Sequence, residues 1–361
     1  MDFRHFFDSK KISFLAIFAV LATFSVTNSA KAAVADTAAS VSHEAHGEEE
    51  FEPTKMIMEH ISDAHDWHLW GHTSIPLPVI LYTDKGIEVF LSSEFHHGEH
   101  DYQGKYYTYR LVDKKKIRVV GAGGEVDEAA SQNVWDFSIT KNVASMFLAV
   151  ILLLLIFTSV AGAYKKREGK APKGLQSFLE PIILFVRDDI ARPNIGHKYA
   201  RFMPLLLTIF FFIWFNNLLG LIPIFPGAAN VTGNIAVTFV LAFIVLIVVN
   251  INGNKYYWKH ILLPDVPWWL YPIMIPVELV GVISKPFALM IRLFANITAG
   301  HIIILSLISL IFVFKSLAIA PVSLAFVLFM NVLELLVAAL QAFIFTLLTA
   351  LFIGMAVEEH H

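Results

Sequence analysis

The sequence predicts an all-α polytopic membrane protein with about five membrane-crossing helices, the last two long and tilted, plus an interfacial amphipathic helix and a small β-rich N-terminal domain. Three observations predict it. Of 361 residues, 56% are hydrophobic and only 16% charged, well below the roughly 25% charged residues of an average soluble domain. The mean hydropathy is +0.62. The apolar residues also gather into long runs after residue 144, while residues 33–135 stay polar. A net charge of −3 argues against a nucleic-acid binder, which would carry a basic patch. The absence of cysteine excludes disulfides, thiolate metal sites and cysteine nucleophiles.

Residues 1–32 read as a signal peptide. Arg4, Lys10 and Lys11 precede the short apolar core ISFLAIFAVLATFSV, and Ala30-Lys31-Ala32 fits the small-residue cleavage pattern. Fifteen apolar residues are few for a span, which needs about 20. Residues 33–135 read as an extracytoplasmic, His-rich, partly β domain. Its run PVILYTDKGIEVFLSS places β-branched and aromatic residues on both sides of Asp84-Lys85-Gly86, a hairpin signal. KYYTYRLVDKKKIRVV adds further strands.

Nine histidines fall in this region: His43, His46, His60, His65, His68, His72, His96, His97 and His100. On a helix, His65, His68 and His72 would share one face and reach a metal. Solvated histidines account for the same pattern. With no thiolates or carboxylate pattern to fix a geometry, no metal site is assigned.

The membrane part occupies 136–361. SMFLAVILLLLIFTSVAGAY (145–164) is a span, and the basic run KKREGKAPKG behind it marks the cytoplasmic side. Leu175, Phe178, Leu179, Ile182, Ile183, Val186 and Ile190 recur at helical spacing and predict an amphipathic helix in the cytoplasmic interface. Residues 202–225 cross outward and 235–251 return, followed by the basic, aromatic NGNKYYWKH. Two tracts, 276–314 and 317–357, are too long for a straight perpendicular crossing of a roughly 30 Å core. Pro286 and Pro321 are the expected bend points. This places the chain in the cell inner membrane, with its N-terminal domain outside and its C-terminus in the cytoplasm.

Polar residues interrupt these tracts. Arg292 and Asn296 are four apart, on one helical face, among Ala288, Ala295, Ala299 and Gly300. A guanidinium is costly at mid-membrane depth and makes poor packing glue. The small residues around it allow close approach of another helix. In the second tract Glu334 and Gln341 stand seven apart with Ala338 between them. If the tracts form a hairpin, His301 and Glu334 are natural proton-passing partners.

SKPFALMIRLFANITAGHIIIL (284–305) together with LQAFIFTLLTALFI (340–353) closely resembles the a subunit of F-type rotary ATP synthases. FNNLLGLIPIF and the ending AVEEH fit it too, and the likeness covers roughly residues 135–361. The resemblance implies a proton-translocating stator subunit without a catalytic site of its own. Its implied partners are a rotating c-subunit ring, the b-subunit peripheral stalk and, through the stalks, the catalytic head. No cofactor, metal or nucleic acid is implied.

By motif, Arg292 resembles the family's essential arginine, which separates two aqueous half-channels and favours release of the proton from each passing c-subunit carboxylate. His301 stands nine residues after it, where many bacterial members have glutamate. Glu334 stands where those members have histidine, so the pair is exchanged rather than lost. Glu278 matches the glutamate of the cytoplasmic outlet, and Asn217, Asn296 and Gln341 match channel-lining positions. Ala288 departs from the serine of some members. The N-terminal domain is an addition to the usual short terminus.

Two other readings compete. A secondary proton or cation transporter would show internal repeats and broken helices in matching halves, and no such repeat is visible. A membrane-anchored module working through its histidines is the other.

Overall fold

The computed structural model describes residues 52–358 apart from 71–72, 113–114, 122, 168, 223–226, 228, 265 and 317. The expected signal peptide, His43, His46 and His72 lie outside the described residues.

The first described element of the N-terminal region is α1 (Pro53–Ile61), whose proline sits in the first turn, where its missing N–H is no loss. Eight short strands follow: β1 (Asp66–Trp70), β2 (Thr73–Pro76), β3 (Pro78–Thr83), β4 (Gly86–Leu91), β5 (Tyr102–Gln103), β6 (Thr108–Val112), β7 (Lys116–Val120) and β8 (Trp135–Asp136). The four-residue helix α2 (Glu128–Ser131) lies between β7 and β8. They form three antiparallel sheets, β1-β2, β4-β3-β8 and β5-β6-β7.

The Asp84-Lys85-Gly86 signal is the β3–β4 turn, with Thr83 opposite Gly86. Gly86 has φ +140°, and a Cβ there would stand 3.1 Å from the Tyr106 hydroxyl, so the position favours glycine. Val79, Leu81, Phe95, Tyr109, Leu111, Ile117 and Val119 form the domain's core.

One buried carboxylate ties two of these sheets together. Glu88 accepts hydrogen bonds from the backbone N–H of Lys105 (2.8 Å) and Tyr106 (3.0 Å) and from the Tyr109 hydroxyl (2.9 Å). Burial, reinforced by the Glu88 carboxylate, pushes the Tyr109 hydroxyl well above its ordinary pKa.

His65 precedes β1 and His68 lies within it, so no helix places them on one face. His65 is 3% exposed and its Nε2 is 2.9 Å from Asp136 Oδ2. Among the described residues no group of three or more His, Cys, Asp or Glu is placed to hold a metal ion.

The membrane part begins with α3 (Lys141–Lys166). Its first turn is capped by Asp63, from the far end of the domain. Asp63 accepts from the Thr140 hydroxyl (2.7 Å) and from the Asn142 N–H (3.0 Å), while the Ala64 carbonyl accepts from the Lys141 N–H (2.8 Å). These bonds satisfy donors that a helix N-terminus leaves open.

The expected amphipathic helix is α4 (Leu175–Phe185), with Pro181 inside it. It widens into a π-helical stretch, Val186–Ala191, and runs through the short α5 (Arg192–Ile195) into α6 (Tyr199–Leu221). Leu179, Ile183, Val186 and Ile190 of the expected stripe are buried, whereas Leu175 and Phe178 are exposed.

α7 (Ile235–Ile251) starts at Asn234, whose side chain accepts from the Ala236 N–H. It bends by 103° into α8 (Lys255–Leu262). α9 (Tyr271–Val313) and α10 (Ala320–Val357) have 43 and 38 residues, about 65 and 57 Å at 1.5 Å per residue. The expected bends take a different form. Pro286 lies inside the unbroken α9, and Pro321 sits in the first turn of α10, where the ring suits a helix start.

Among the described residues, four helical stretches are long and apolar enough to cross a membrane, or five if α7 and α8 count as one span. α10 packs against α6 and α9, and α7 packs against α9. In lipid such packing depends on close fit rather than on water exclusion. At Gly354 a Cβ would overlap the Asn194 carbonyl, so the C-terminal end of α10 meets α5 backbone to backbone. Large apolar side chains such as Ile273, Phe287, Leu328 and Leu336 remain exposed, as lipid-facing positions do.

Candidate functional site: a polar path across the long hairpin

α9 and α10 are antiparallel neighbours, joined near their shared end by the Ser323 hydroxyl donating to the Leu307 carbonyl. Arg292 is the midpoint of α9, twenty-one residues from each end. Leu289, Leu293 and Ile297 turn inward and are buried, which rotates Arg292 and Asn296 outward. Both are exposed, in a stripe with Ala288, Ala295 and Ala299. Among the described residues no side chain pairs with the Arg292 guanidinium. An arginine facing bare lipid at this depth is unfavourable by about 2.5–3.5 kcal/mol even on the mildest scale.

His301 and Glu334 meet across the hairpin, with Nδ1 3.5 Å from Oε1. Glu334 is 4% exposed, and neither of its oxygens has a hydrogen-bond partner among the described residues. Space for it comes from Gly300, where a Cβ would stand 2.8 Å from Oε1. The other face of the imidazole lies against α6, since a Cβ at Gly220 would be 3.8 Å from His301 Nε2.

Asn217 is buried on α6. It donates to the Ala338 carbonyl (3.3 Å) and accepts from the Thr232 hydroxyl (2.5 Å). Gln341 is buried on α10 two turns from Glu334. Thus Asn217, His301, Glu334 and Gln341 occupy the meeting of α6, α9 and α10.

Glu278 is not brought to that group. Fourteen residues before Arg292 on one helix, it is about 21 Å away along the axis. Val282 and Lys285, four and seven residues after it on its own face, help line a separate small, open pocket with Asn250, Tyr257 and Phe352.

The sequence reading missed Thr232, whose loop position hid its contact with Asn217. It also missed the spatial roles of Gly220 and Gly300. A glycine inside an apolar helix, beside a histidine, was the available signal.

Long apolar helices, with an outward arginine at mid-length that has no partner among the described residues and a half-buried imidazole beside a buried carboxylate beyond it, define the class: a multi-pass membrane protein. The ATP synthase A chain family profile matches residues 143–354, and the chain belongs to that family. It is a membrane subunit of the proton-transporting complex, not an enzyme by itself.

The chain is 46% identical over 272 residues to ATP synthase subunit a of Chloroherpeton thalassium, covering 73% of this chain and 77% of that one. It is 48% identical over 229 residues to ATP synthase subunit a 2 of Chlorobaculum tepidum, covering 62% and 64%. To ATP synthase subunit a of Myxococcus xanthus it is 44% identical over 233 residues, covering 63% and 75%. A second profile, described as Domain of unknown function (DUF8433), matches residues 56–137.

Proposed function

We propose that the chain supplies two offset half-channels and the arginine between them, so that protons cross the membrane only by riding on the carboxylates of a rotating c-subunit ring. The observation that carries this is the stripe of Arg292, Asn296, Ala288, Ala295 and Ala299, exposed, shallow and with no partner for the guanidinium among the described residues. A c-subunit carboxylate arriving there meets a fixed cation, which favours its charged form and expels its proton. The same charge blocks a direct cation leak along the seam.

The inlet is His301 and Glu334, with Asn217 and Gln341 as polar neighbours. The outlet is the pocket beside Glu278. The two lie on opposite sides of Arg292 along α9, which is the offset the scheme requires. The N-terminal domain stands outside the cytoplasm and the C-terminus inside, and the b-subunit stalk holds the chain against the ring.

Arg292→Ala in the assembled complex tests this. ATP-driven proton pumping in membrane vesicles is expected to vanish with assembly intact. Normal coupled pumping would overturn the assignment.

A further inference from the structure

The two larger sheets of the N-terminal domain present outer faces of opposite chemistry. In β6 and β7, Tyr109, Leu111, Ile117 and Val119 point into the core. The alternate positions hold Thr108, Arg110, Lys116 and Arg118, and Arg110 is paired with Asp101 at 2.6 Å. That is the alternation of an antiparallel sheet with one face in water.

The β4-β3-β8 sheet buries Val79, Leu81 and Glu88, and what it turns outward is apolar. Ile87 and Val89 are each 64% exposed, and Tyr82, Leu91, Trp135 and Phe137 are exposed as well. Strand pairing gathers them into one surface. Tyr82 lies opposite both Ile87 and Trp135, and Ile80 lies opposite Val89. None of the outward positions of β3 and β4 carries a charge. A contiguous apolar face of this kind marks a contact surface.

Where the sheet is attached decides what it meets. The Phe137 N–H donates to the Ile80 carbonyl (2.8 Å) and the Ile139 N–H to the Pro78 carbonyl (3.0 Å). The chain therefore stays on the sheet until two residues before Lys141, the first residue of α3. The Lys141 N–H is itself held by the Ala64 carbonyl (2.8 Å). No free linker separates the sheet from a helix that crosses the membrane. Trp135 and Tyr82, paired across β8 and β3, are the two aromatic types that gather at headgroup depth. Apart from the Tyr82 hydroxyl, the outward positions of β3 and β4 lack the polar groups that protein interfaces mix with apolar ones.

We propose that this face rests on the lipid surface beside α3, with Tyr82 and Trp135 among the headgroups and Ile87, Val89 and Leu91 against the upper acyl chains. The domain is then seated on the bilayer through one sheet and open to water through the other. The inference needs only that α3 spans the membrane, and it is independent of the route that protons take.

The chain has no cysteine, so single thiols can be labelled. Val89→Cys, Ile87→Cys and Lys116→Cys each receive a nitrobenzoxadiazole dye in the assembled complex, held in phosphatidylcholine nanodiscs. The unaltered chain gives the background. Quenching is read with spin labels on the lipid headgroup or high on the acyl chain, and with iodide in the water.

At Val89 and Ile87 both lipid quenchers are expected to act, with iodide several-fold weaker than at Lys116. At Lys116, exposed on the other sheet, only iodide is expected to act. Iodide quenching at Val89 as strong as at Lys116 would put the face in water and overturn the proposal. Protection from iodide and lipid alike would mean that protein covers the face, whether residues 1–51, a second copy or another subunit, and would overturn it too. A lipid signal at only one of the two positions would overturn a face-wide contact. None of these results bears on Arg292→Ala, so failure here and failure of the proton reading are told apart.

Discussion

Gly300 and Glu334 are packed so that a single methyl group between them would displace the carboxylate: a Cβ on Gly300 would come within 2.8 Å of Glu334 Oε1 and 3.1 Å of its Cδ. Alanine is the better helix former by about 1 kcal/mol, so Gly300→Ala would not weaken α9 by propensity. The flexible end of Glu334 is what must yield, and its 3.5 Å approach to His301 goes with it. The expected result is normal assembly with proton pumping reduced about tenfold or more, as a lost catalytic contact of about 1.4 kcal/mol would produce. Quinacrine-type fluorescence quenching in vesicles, normalised to assembled complex by immunoblot, reads it.

The exchange of the imidazole and carboxylate between α9 and α10 makes a reciprocal prediction. His301→Glu alone leaves two facing carboxylates, and Glu334→His alone leaves two imidazoles. The combined exchange restores one of each across the hairpin. It is expected to retain several times the pumping rate of either single variant. Harmless single variants would remove the relay from the mechanism.

Thr232 stabilises Asn217 from outside its helix, through a 2.5 Å bond between groups that are both buried. Thr232→Val preserves shape but leaves the Asn217 acceptor unpaired, which costs about 1–3 kcal/mol in a buried setting. The detergent-extracted chain is expected to melt several degrees lower, and Thr232→Ser is expected to recover most of the loss.

Asp136 gives the N-terminal domain a pH signature. Burial works against its charged form, yet the hydrogen bonds from His65 and Ser138 outweigh it and hold the carboxyl below the usual aspartate range. A folded-state value below the unfolded one stabilises above the unfolded pKa of about 4 and loses that stabilisation as pH falls through the folded value. Limited proteolysis of the domain should therefore accelerate below about pH 4. Asp136→Asn should flatten that acid-side rise.

Much of the fold was readable because local periodicity carried it. The β3–β4 hairpin announced itself through Asp84-Lys85-Gly86, and the 235–251 span coincides with α7. Arg292 and Asn296 shared a face by spacing alone, and the pairing of His301 with Glu334 followed once the last two tracts were read as a hairpin. What escaped were relationships between distant segments. Asp63 caps a helix that begins 77 or more residues later, and no local pattern distinguishes it from a solvated aspartate. The helical spacing of His65 and His68 carried no structural meaning, because β1 begins between them at Asp66. Pro321 does not serve as a bend within a tract because it sits in the first turn of α10, where the ring suits a helix start.

The alanine stripe on α9 has one more consequence. Meshed side chains would give a neighbouring helix discrete notches, each with a barrier to sliding. Ala288, Ala295 and Ala299 offer none, so in the scheme proposed above the surface would act as a smooth bearing rather than a gear. On such a bearing the stopping positions would be marked by charge, with Arg292 as the detent.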